Sequence, residues 1–559
     1  MADKIVVGCR GSRLSLAQEK IVIDRLALSF HGSSIVTVVV KTLGDSHSSA
    51  SISQLGGVGI FTTTLQEELQ AGKIDMAVHS LKDLPTVSQY DTNIYVVERT
   101  EPRDVLISRD GLRINRLRHG ARIGTSSPRR RCQLLAYRRD LDIVEIRGNV
   151  DTRLSKLESG SYDAIVLAAA GVKRIGLDRK ITQILPLGMM LPAPGQGALA
   201  IEVRGSDSRM NRIAKALENR EVRSSVNAER EFLSFFGEGC STPIGAYGVT
   251  SGRSLKLFGV IGKPDGTALV KGSVTHQFKF PNEAGYMLAE RLLMRGANNI
   301  IRSPGRKSRL YGKRVLVTRE DDGAPMRRAI LDRGALPIYF PTIAEGHLED
   351  YADLDLAIRS INKYDIVMIT SKRAARAFFR RAKILRIAPS FIRADFAAVG
   401  DETRREIVSN GVKVKYSPAE FSSMGLVRAL KAKGKKVLFP CSDRNDGSAT
   451  AALERSGANV CPVVAYRMLR VCTSAPRRAE IASYKGMDFV TFTSPSSVRE
   501  FVGILGSANA RKLLASSIPV CIGTTTALEC SKYASDPLVA SIHTIYGIIS
   551  TMEARRNGK

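Results

Sequence analysis

The chain has 559 residues, more than one hydrophobic core serves, so several domains of roughly 100–200 residues are expected. Hydrophobic residues at 43% and charged residues at 25% exclude a disordered or fibrous chain. The net charge of +30 admits phosphate-bearing and polycarboxylate partners alike, because basic residues occur in every segment rather than in one arm. No apolar run approaches the roughly 20 residues of a membrane span, and the start Met1-Ala2-Asp3-Lys4 has neither region of a signal peptide. A cytoplasmic location without a membrane partner is therefore expected. The eight cysteines form no CxxC pair and the seven histidines no HxxxH or HExxH cluster, which points to reduced thiols and no metal.

From Ile5 to about Ile201, short β-branched runs alternate with amphipathic stretches: Ile5–Val7, Ile35–Val40, Met76–Val78, Ile94–Val97, Ile143–Ile146 and Ala164–Leu167. That rhythm predicts βαβ units and a largely parallel sheet. Arg10-Gly11-Ser12 and Gly124-Thr125-Ser126-Ser127 fall where a strand ends and a helix begins, a place suited to anions and equally to helix caps. Arg10, Arg129, Arg130, Arg131, Arg147, Arg153 and Arg174 lie near such junctions. Converging on one cleft they would hold several carboxylates by bidentate pairs; singly each is a solvated surface charge. His79-Ser80-Leu81-Lys82-Asp83-Leu84-Pro85 follows the run Met76–Val78, and its Lys82 and Asp83 are either a surface ion pair or a carboxylate kept ionised to face a developing cation.

Between Val222 and Leu288 a helix is followed by strands turning at Pro264-Asp265-Gly266, which suggests a small α+β lobe. The basic stretch from Arg295 to Lys313 reads as an interdomain linker. Beyond it the chain repeats itself. DIVMITSKRAARAF from Asp365 and DFVTFTSPSSVREF from Asp488 stand 123 residues apart, as do AVGDETRREI from Ala398 and CIGTTTALEC from Cys521. Two segments in one register predict two similar α/β domains facing each other across a cleft, where ligands of such folds bind. Thr370-Ser371, Thr403, Thr493-Ser494 and Thr524-Thr525-Thr526 lie on turns at strand ends, as caps or as carboxylate contacts, and Tyr466 follows a strand.

RGSRLSLAQ from Arg10, HSLKDLP (79–85), EPRDVL (101–106), GTSSPRRRCQL (124–134), IRGNVDTRLSKLESGSYDAIVLAAAGVKRIGL (146–177), PAPGQGALAIE (192–202) and AEREFLSFFGEGCSTPIGA (228–246) occur in the order and spacing of the porphobilinogen deaminases. The first 300 or so residues resemble that family, also called hydroxymethylbilane synthases. The resemblance implies two α/β lobes like those of periplasmic binding proteins and a small α+β lobe. It implies that Cys240 carries a dipyrromethane cofactor as a thioether, and that Asp83, with Lys82 beside it, supports loss of ammonia from each porphobilinogen. Arg10, Ser12, Ser127, Arg129, Arg130 and Arg147 match groups around the cofactor's acidic side chains, and Arg153 and Arg174 match groups that bind those of the substrate. Four units are joined before water releases hydroxymethylbilane. Two positions depart from the family: Val58 stands where many relatives carry lysine, and Glu238 where glycine is common.

The remainder resembles the uroporphyrinogen-III synthases, through VLVTRE from Val315, the duplicated turns and VVAYR around Tyr466. That resemblance implies ring closure of hydroxymethylbilane with inversion of the last pyrrole, without metal. Tyr466 then matches a residue that assists loss of the hydroxyl, and Ser371, Thr403, Ser494 and Thr525 match cleft contacts. The expected layout is a deaminase over 1–305, with lobe 1 at about 1–97 and 198–218, lobe 2 at 98–197 and lobe 3 at 219–305. A linker at 306–313 precedes a synthase over 314–559, with domain A at about 314–345 and 468–559 and domain B at 346–467, its parallel sheets around a cleft. A monomer is expected. A nucleic-acid partner is not, since the chain shows no helix-turn-helix, zinc finger or aromatic-basic sheet motif and has no Trp.

Overall fold

The computed structural model describes residues 4–30, 34–40, 62–88, 90–237, 242–301, 308–321, 324–418 and 422–555. Val58, Glu238 and Cys240 lie outside the described residues. The alternating apolar runs form strands β1 (Lys4–Arg10), β2 (Ser34–Val40), β3 (Met76–Ser80), β4 (Thr92–Arg99), β5 (Asp104–Ser108), β6 (Arg122–Gly124), β7 (Asp142–Val144), β8 (Ala164–Ala168), β9 (Gln183–Ile184) and β10 (Ala198–Arg204). They build two five-stranded sheets in the orders β2-β1-β3-β10-β4 and β7-β6-β8-β5-β9.

Strand β1 runs parallel to β2 and β3, and β6 to β7 and β8, as βαβ units require. Strand β10 is antiparallel to β3 and β4, and β5 to β8 and β9. The expected largely parallel sheet is thus corrected to two mixed sheets. The chain leaves the first sheet after β4, builds the second and returns as β10, and a strand arriving from a neighbouring sheet is free of the local crossover that imposes parallel pairing.

The third lobe packs the helices Arg220–Ser234 and Pro281–Leu292 on an antiparallel sheet of β11 (Ile244–Ser251), β12 (Ser254–Gly262) and β13 (Leu269–Gln277). Gly285 lets the two helices touch: a Cβ there would stand 2.8 Å from the Phe232 nitrogen and 2.9 Å from the Ala228 oxygen. The expected linker is corrected here. The helical path runs on through Leu293–Ala297 to Asn298–Ile301, and Leu293, Ala297, Ile301 and, further on, Leu310 are buried in the core. Gly, Ser and Asn made the stretch look like a loop, yet its few apolar residues recur at helical spacing.

In the C-terminal half the strands are β14 (Arg314–Arg319), β15 (Leu336–Gly346), β16 (Ile366–Ile369), β17 (Asp395–Ala398), β18 (Val414–Tyr416), β19 (Lys436–Ser442), β20 (Asn459–Arg470), β21 (Phe489–Phe492), β22 (Ile518–Cys521) and β23 (Leu538–Val539). They form one sheet of ten in the order β18-β17-β16-β19-β20-β15-β14-β21-β22-β23. Five strands lie on each side of the β20/β15 contact. That contact is the antiparallel pair in an otherwise parallel sheet, with Ile343–Gly346 set against Arg467–Arg470. The repeat is visible in space: β16 leads into the helix Lys372–Ile384 as β21 leads into Pro495–Leu505, and β17 into Asp401–Ser409 as β22 into Thr524–Cys530. Among the described residues no helix is long and apolar enough to cross a membrane.

Candidate active sites

In the N-terminal half the chemistry gathers where the two sheets face each other. Asp104 opens β5 and is fully buried, which is tolerable for a carboxylate only with partners. Arg129 Nη1 donates to its Oδ2 at 2.7 Å, Arg130 Nε donates to Oδ1 at 3.0 Å, and Gln196 Nε2 donates to Oδ1 at 3.1 Å. Burial raises the Asp104 pKa, but the two guanidinium groups outweigh it and hold the carboxyl well below the usual range. One negative charge against two positive ones leaves the group cationic.

Lys82 and Asp83 sit on the tight turn Leu81–Asp83 directly after β3, and both are exposed. Lys82 opens to solvent but is ringed by protein. That burial lowers its pKa, and Arg130 and Arg129 push the same way against Asp83 and Asp104. Lys82 and the Asp104 group thus belong to one electrostatic cluster. Arg153 joins it from the helix Val150–Glu158: burial first, then Arg130, brings its pKa down to about 10. Its Nε donates to the Gly148 carbonyl at 2.8 Å. Neither Lys82 nor Arg153 has a carboxylate in hydrogen-bonding contact among the described residues.

Other expected residues fall out differently. Ser12 and Ser127 cap the helices Arg13–Ser29 and Pro128–Tyr137, accepting from Ser15 N at 3.3 Å and Arg130 N at 3.4 Å. Arg147 is half-buried and pairs with Glu145 at 2.6 Å, and Arg10 is half-buried at the end of β1. Arg174 is held by protein groups. Its Nη2 donates to Glu98 at 3.3 Å and to the Gly197 carbonyl at 3.0 Å, with the side chain 5% exposed, so it links β4 and the start of β10 to the second lobe. Arg129 and Arg130 close their forks on Asp104 and on the Leu191 and Val166 carbonyls. Asp104 itself was not singled out from the sequence. Its signal was a lone acid heading the apolar run Val105-Leu106-Ile107, which only paired cations explain.

In the C-terminal half Tyr466 lies within β20, not after it, at the residue where the strand stops pairing with β19 and begins pairing with β15. It is buried, and its hydroxyl is 3.1 Å from Ser371 Oγ. Burial raises its pKa, opposed by the Ser371 hydrogen bond and by Arg373, so the phenol stays protonated. Ser371 and Ser494 cap equivalent helices, accepting from Ala374 N at 3.0 Å and Ser497 N at 3.1 Å. Thr525 is exposed on the first turn of Thr524–Cys530. Thr403 matches Thr526 in the repeat, and both are buried on the inner side of their helices.

A cationic cluster beside the exposed Asp83, followed by a two-domain α/β unit with a protonated tyrosine at its seam, defines two α/β units in tandem, the first suited to a multiply charged anion. The porphobilinogen deaminase models match residues 5–212, the dipyrromethane cofactor binding domain, and 224–294, the C-terminal domain; the uroporphyrinogen-III synthase HemD model matches 324–550. The porphobilinogen deaminase of Roseiflexus castenholzii is 40% identical over 302 residues, 54% of this chain and 99% of that protein. That of Pelotomaculum thermopropionicum is 43% identical over 310 residues, 55% of this chain and 99% of that protein. Among solved structures, a mutant uroporphyrinogen-III synthase of the extremely thermophilic bacterium Thermus thermophilus is 18% identical, with 43% of this chain and 97% of that chain covered at a TM-score of 0.35. The synthase of Helicobacter pylori is 16% identical, with 44% and 99% covered at 0.31. The chain belongs to the porphobilinogen deaminase family and carries a uroporphyrinogen-III synthase domain behind it, which makes it a bifunctional enzyme of tetrapyrrole biosynthesis. The cleft fits a dipyrromethane: among the described residues Lys82 and Arg153 have no carboxylate in hydrogen-bonding contact, and they stand beside a group that keeps net positive charge, as a molecule bearing several carboxylates requires.

Proposed function

We propose that residues 1–305 join four porphobilinogen molecules head to tail, with release of ammonia, on a dipyrromethane attached to Cys240, and that residues 314–559 close the resulting hydroxymethylbilane to uroporphyrinogen III with inversion of the last ring. The enzyme acts as a cytoplasmic monomer. In this reading the deaminase lobes span about 1–97 with 198–218, 98–197 and 219–305, and the synthase domains 314–345 with 468–559 and 346–467. When bound, the dipyrromethane supplies the primer for assembly. Lys82, Arg153, Arg10 and Arg147, with Ser12 and Ser127 at helix starts, hold acidic side chains in the cleft, and Arg129 and Arg130 keep it positive through Asp104. Each pyrrole adds two carboxylates, and like charges a few Å apart repel appreciably even at an effective dielectric near 20, so elongation needs this concentration of cations.

Asp83 is the acid that faces the reacting nitrogen. Departure of ammonia leaves positive charge on the pyrrole, and a carboxylate fixed beside it lowers the energy of that state. The cationic cluster with one exposed aspartate at its edge is the observation that carries this reading. Asp83→Asn is expected to lower kcat with porphobilinogen by about 100- to 1,000-fold, the usual cost of removing one preorganised charge. The melting temperature should stay put, because Asp83 is exposed. An unchanged kcat would remove the aspartate from the mechanism.

In the second half Tyr466, with Ser371, Ser494 and Thr525 around the cleft, donates a proton to the departing hydroxyl of hydroxymethylbilane. Its raised pKa keeps that proton in place through the neutral and mildly alkaline range. Tyr466→Phe is expected to slow formation of uroporphyrinogen III by about 10- to 1,000-fold without altering porphobilinogen consumption, which separates the two activities in one assay. The test of the whole reading is the isomer formed from porphobilinogen alone: uroporphyrinogen III from the wild type, and the isomer without inversion from the tyrosine variant.

A further inference from the structure

We infer that the third deaminase lobe is a structural subunit of both enzymes, docked on synthase domain A so that the two halves form one rigid body rather than two domains on a tether. The inference does not depend on what either half catalyses. A single hydrophobic core runs across the junction, from Leu288, Leu292 and Ala297 on one side to Val317, Ile330 and Ile549 on the other. The rings of Tyr286 and Tyr339 meet edge to face at 4.7 Å across it.

Polar groups lock the same face. Glu290 is buried in the helix Pro281–Leu292, and its Oε1 accepts from Arg477 Nη2 at 2.7 Å and from the Tyr339 backbone N–H at 2.8 Å. Arg477, 1% exposed, also donates to the Tyr339 carbonyl at 3.0 Å. Glu283 receives the Ser474 backbone N–H at 2.8 Å and the Ser474 hydroxyl, so a deaminase carboxylate covers the start of the synthase helix Ala475–Ala482, while His276 holds Glu283 from behind at 2.8 Å. Arg327 of the synthase half is 2% exposed, with its guanidinium carbon 4.1 Å from the Tyr339 ring centre and 5.1 Å from that of Phe235 in the deaminase lobe. Arg477 has a second carboxylate, Glu480, at 2.7 Å in its own half, but the ion pair of the buried Glu290 is made across the junction, and a buried carboxylate cannot lose its cation without large cost. Undocking would strip Glu290 of Arg477 and leave Arg477 with Glu480 alone.

The test uses the full chain with a site-specific protease sequence inserted after Gly305. After complete cutting, the two fragments are expected to co-elute in gel filtration at the position of the uncut protein, at high salt as well as low. Glu290→Lys places two cations together at the buried pair and should weaken the association of the cut halves by about 100-fold or more, so that they separate. Lys383→Ala, which removes only a thin contact with Tyr90 in lobe 1, should leave them together. Wild-type fragments that elute apart overturn the inference. Hydrogen exchange of the uncut wild type supplies a measurement that needs no variant. The helices Pro281–Leu292 and Ala475–Ala482 should lose protection together as denaturant rises, and loss at separate concentrations would equally defeat it.

Discussion

A chain carrying Cys240→Ser is expected to leave purification lighter than the wild type by one dipyrromethane and to be inert toward porphobilinogen. Attachment needs a nucleophilic sulfur, and the other thiols are poor substitutes. Burial pushes Cys9, Cys132 and Cys441 up to about 11, so these three stay protonated at neutral pH. Cys521 and Cys530 are buried, and the half-buried Cys461 and exposed Cys472 belong to the other enzyme. Serine at position 240 keeps the size but is far less nucleophilic as a neutral hydroxyl, so activity should fall by more than about 1,000-fold. Intact-protein mass spectrometry reads the first effect, and porphobilinogen consumption the second. An adduct retained on the variant, for instance at Cys472, would move the attachment site.

The largest expected effect on stability belongs to Asp104. Asp104→Leu leaves Arg129 and Arg130 buried without their counter-charge, which costs about 3–5 kcal/mol. Urea unfolding of the two variants and the wild type, monitored by a probe in lobe 2, checks it. Asp104→Asn should cost less, because the amide still accepts from both guanidinium groups. The wild-type carboxyl has a folded pKa depressed below its unfolded value of about 3.9, so its contribution is full above that pH and is lost as the pH falls toward the folded value. Asp104→Asn should therefore flatten the acid limb of stability below about pH 4, and an unchanged limb would mean that the aspartate is not ionised in its pair.

The duplicated turns were readable because a strand, a Thr-Ser cap and a helix leave a local pattern, and Ser371 and Ser494 do cap equivalent helices. The basic cleft was readable in composition but not in detail. An arginine that fastens β4 to the second lobe, as Arg174 does, is spelled like one that waits for a carboxylate, and only the position of Glu98 tells them apart. The Asp104 cluster is built from residues 25 positions or more apart, on a strand and a helix that the sequence places but does not pair. Tyr466 was found by resemblance, while its place at the seam of the ten-stranded sheet depends on the pairing of β20 with two different neighbours. The junction between halves was least legible. Glu283, Glu290 and Arg477 look like surface charges until both halves are folded.

The junction also orders events during synthesis. The apolar face of the helix Pro281–Leu292 leaves the ribosome early, but part of the core it belongs to, Ile548, Ile549 and Met552, is made roughly 250 residues later, some tens of seconds at usual elongation rates. For that interval the nascent deaminase, already able to fold its first two lobes, carries an uncovered greasy stripe. Ribosome stalling, a premature stop codon or a slow codon run within the synthase gene segment would therefore endanger the solubility of the enzyme encoded upstream of it.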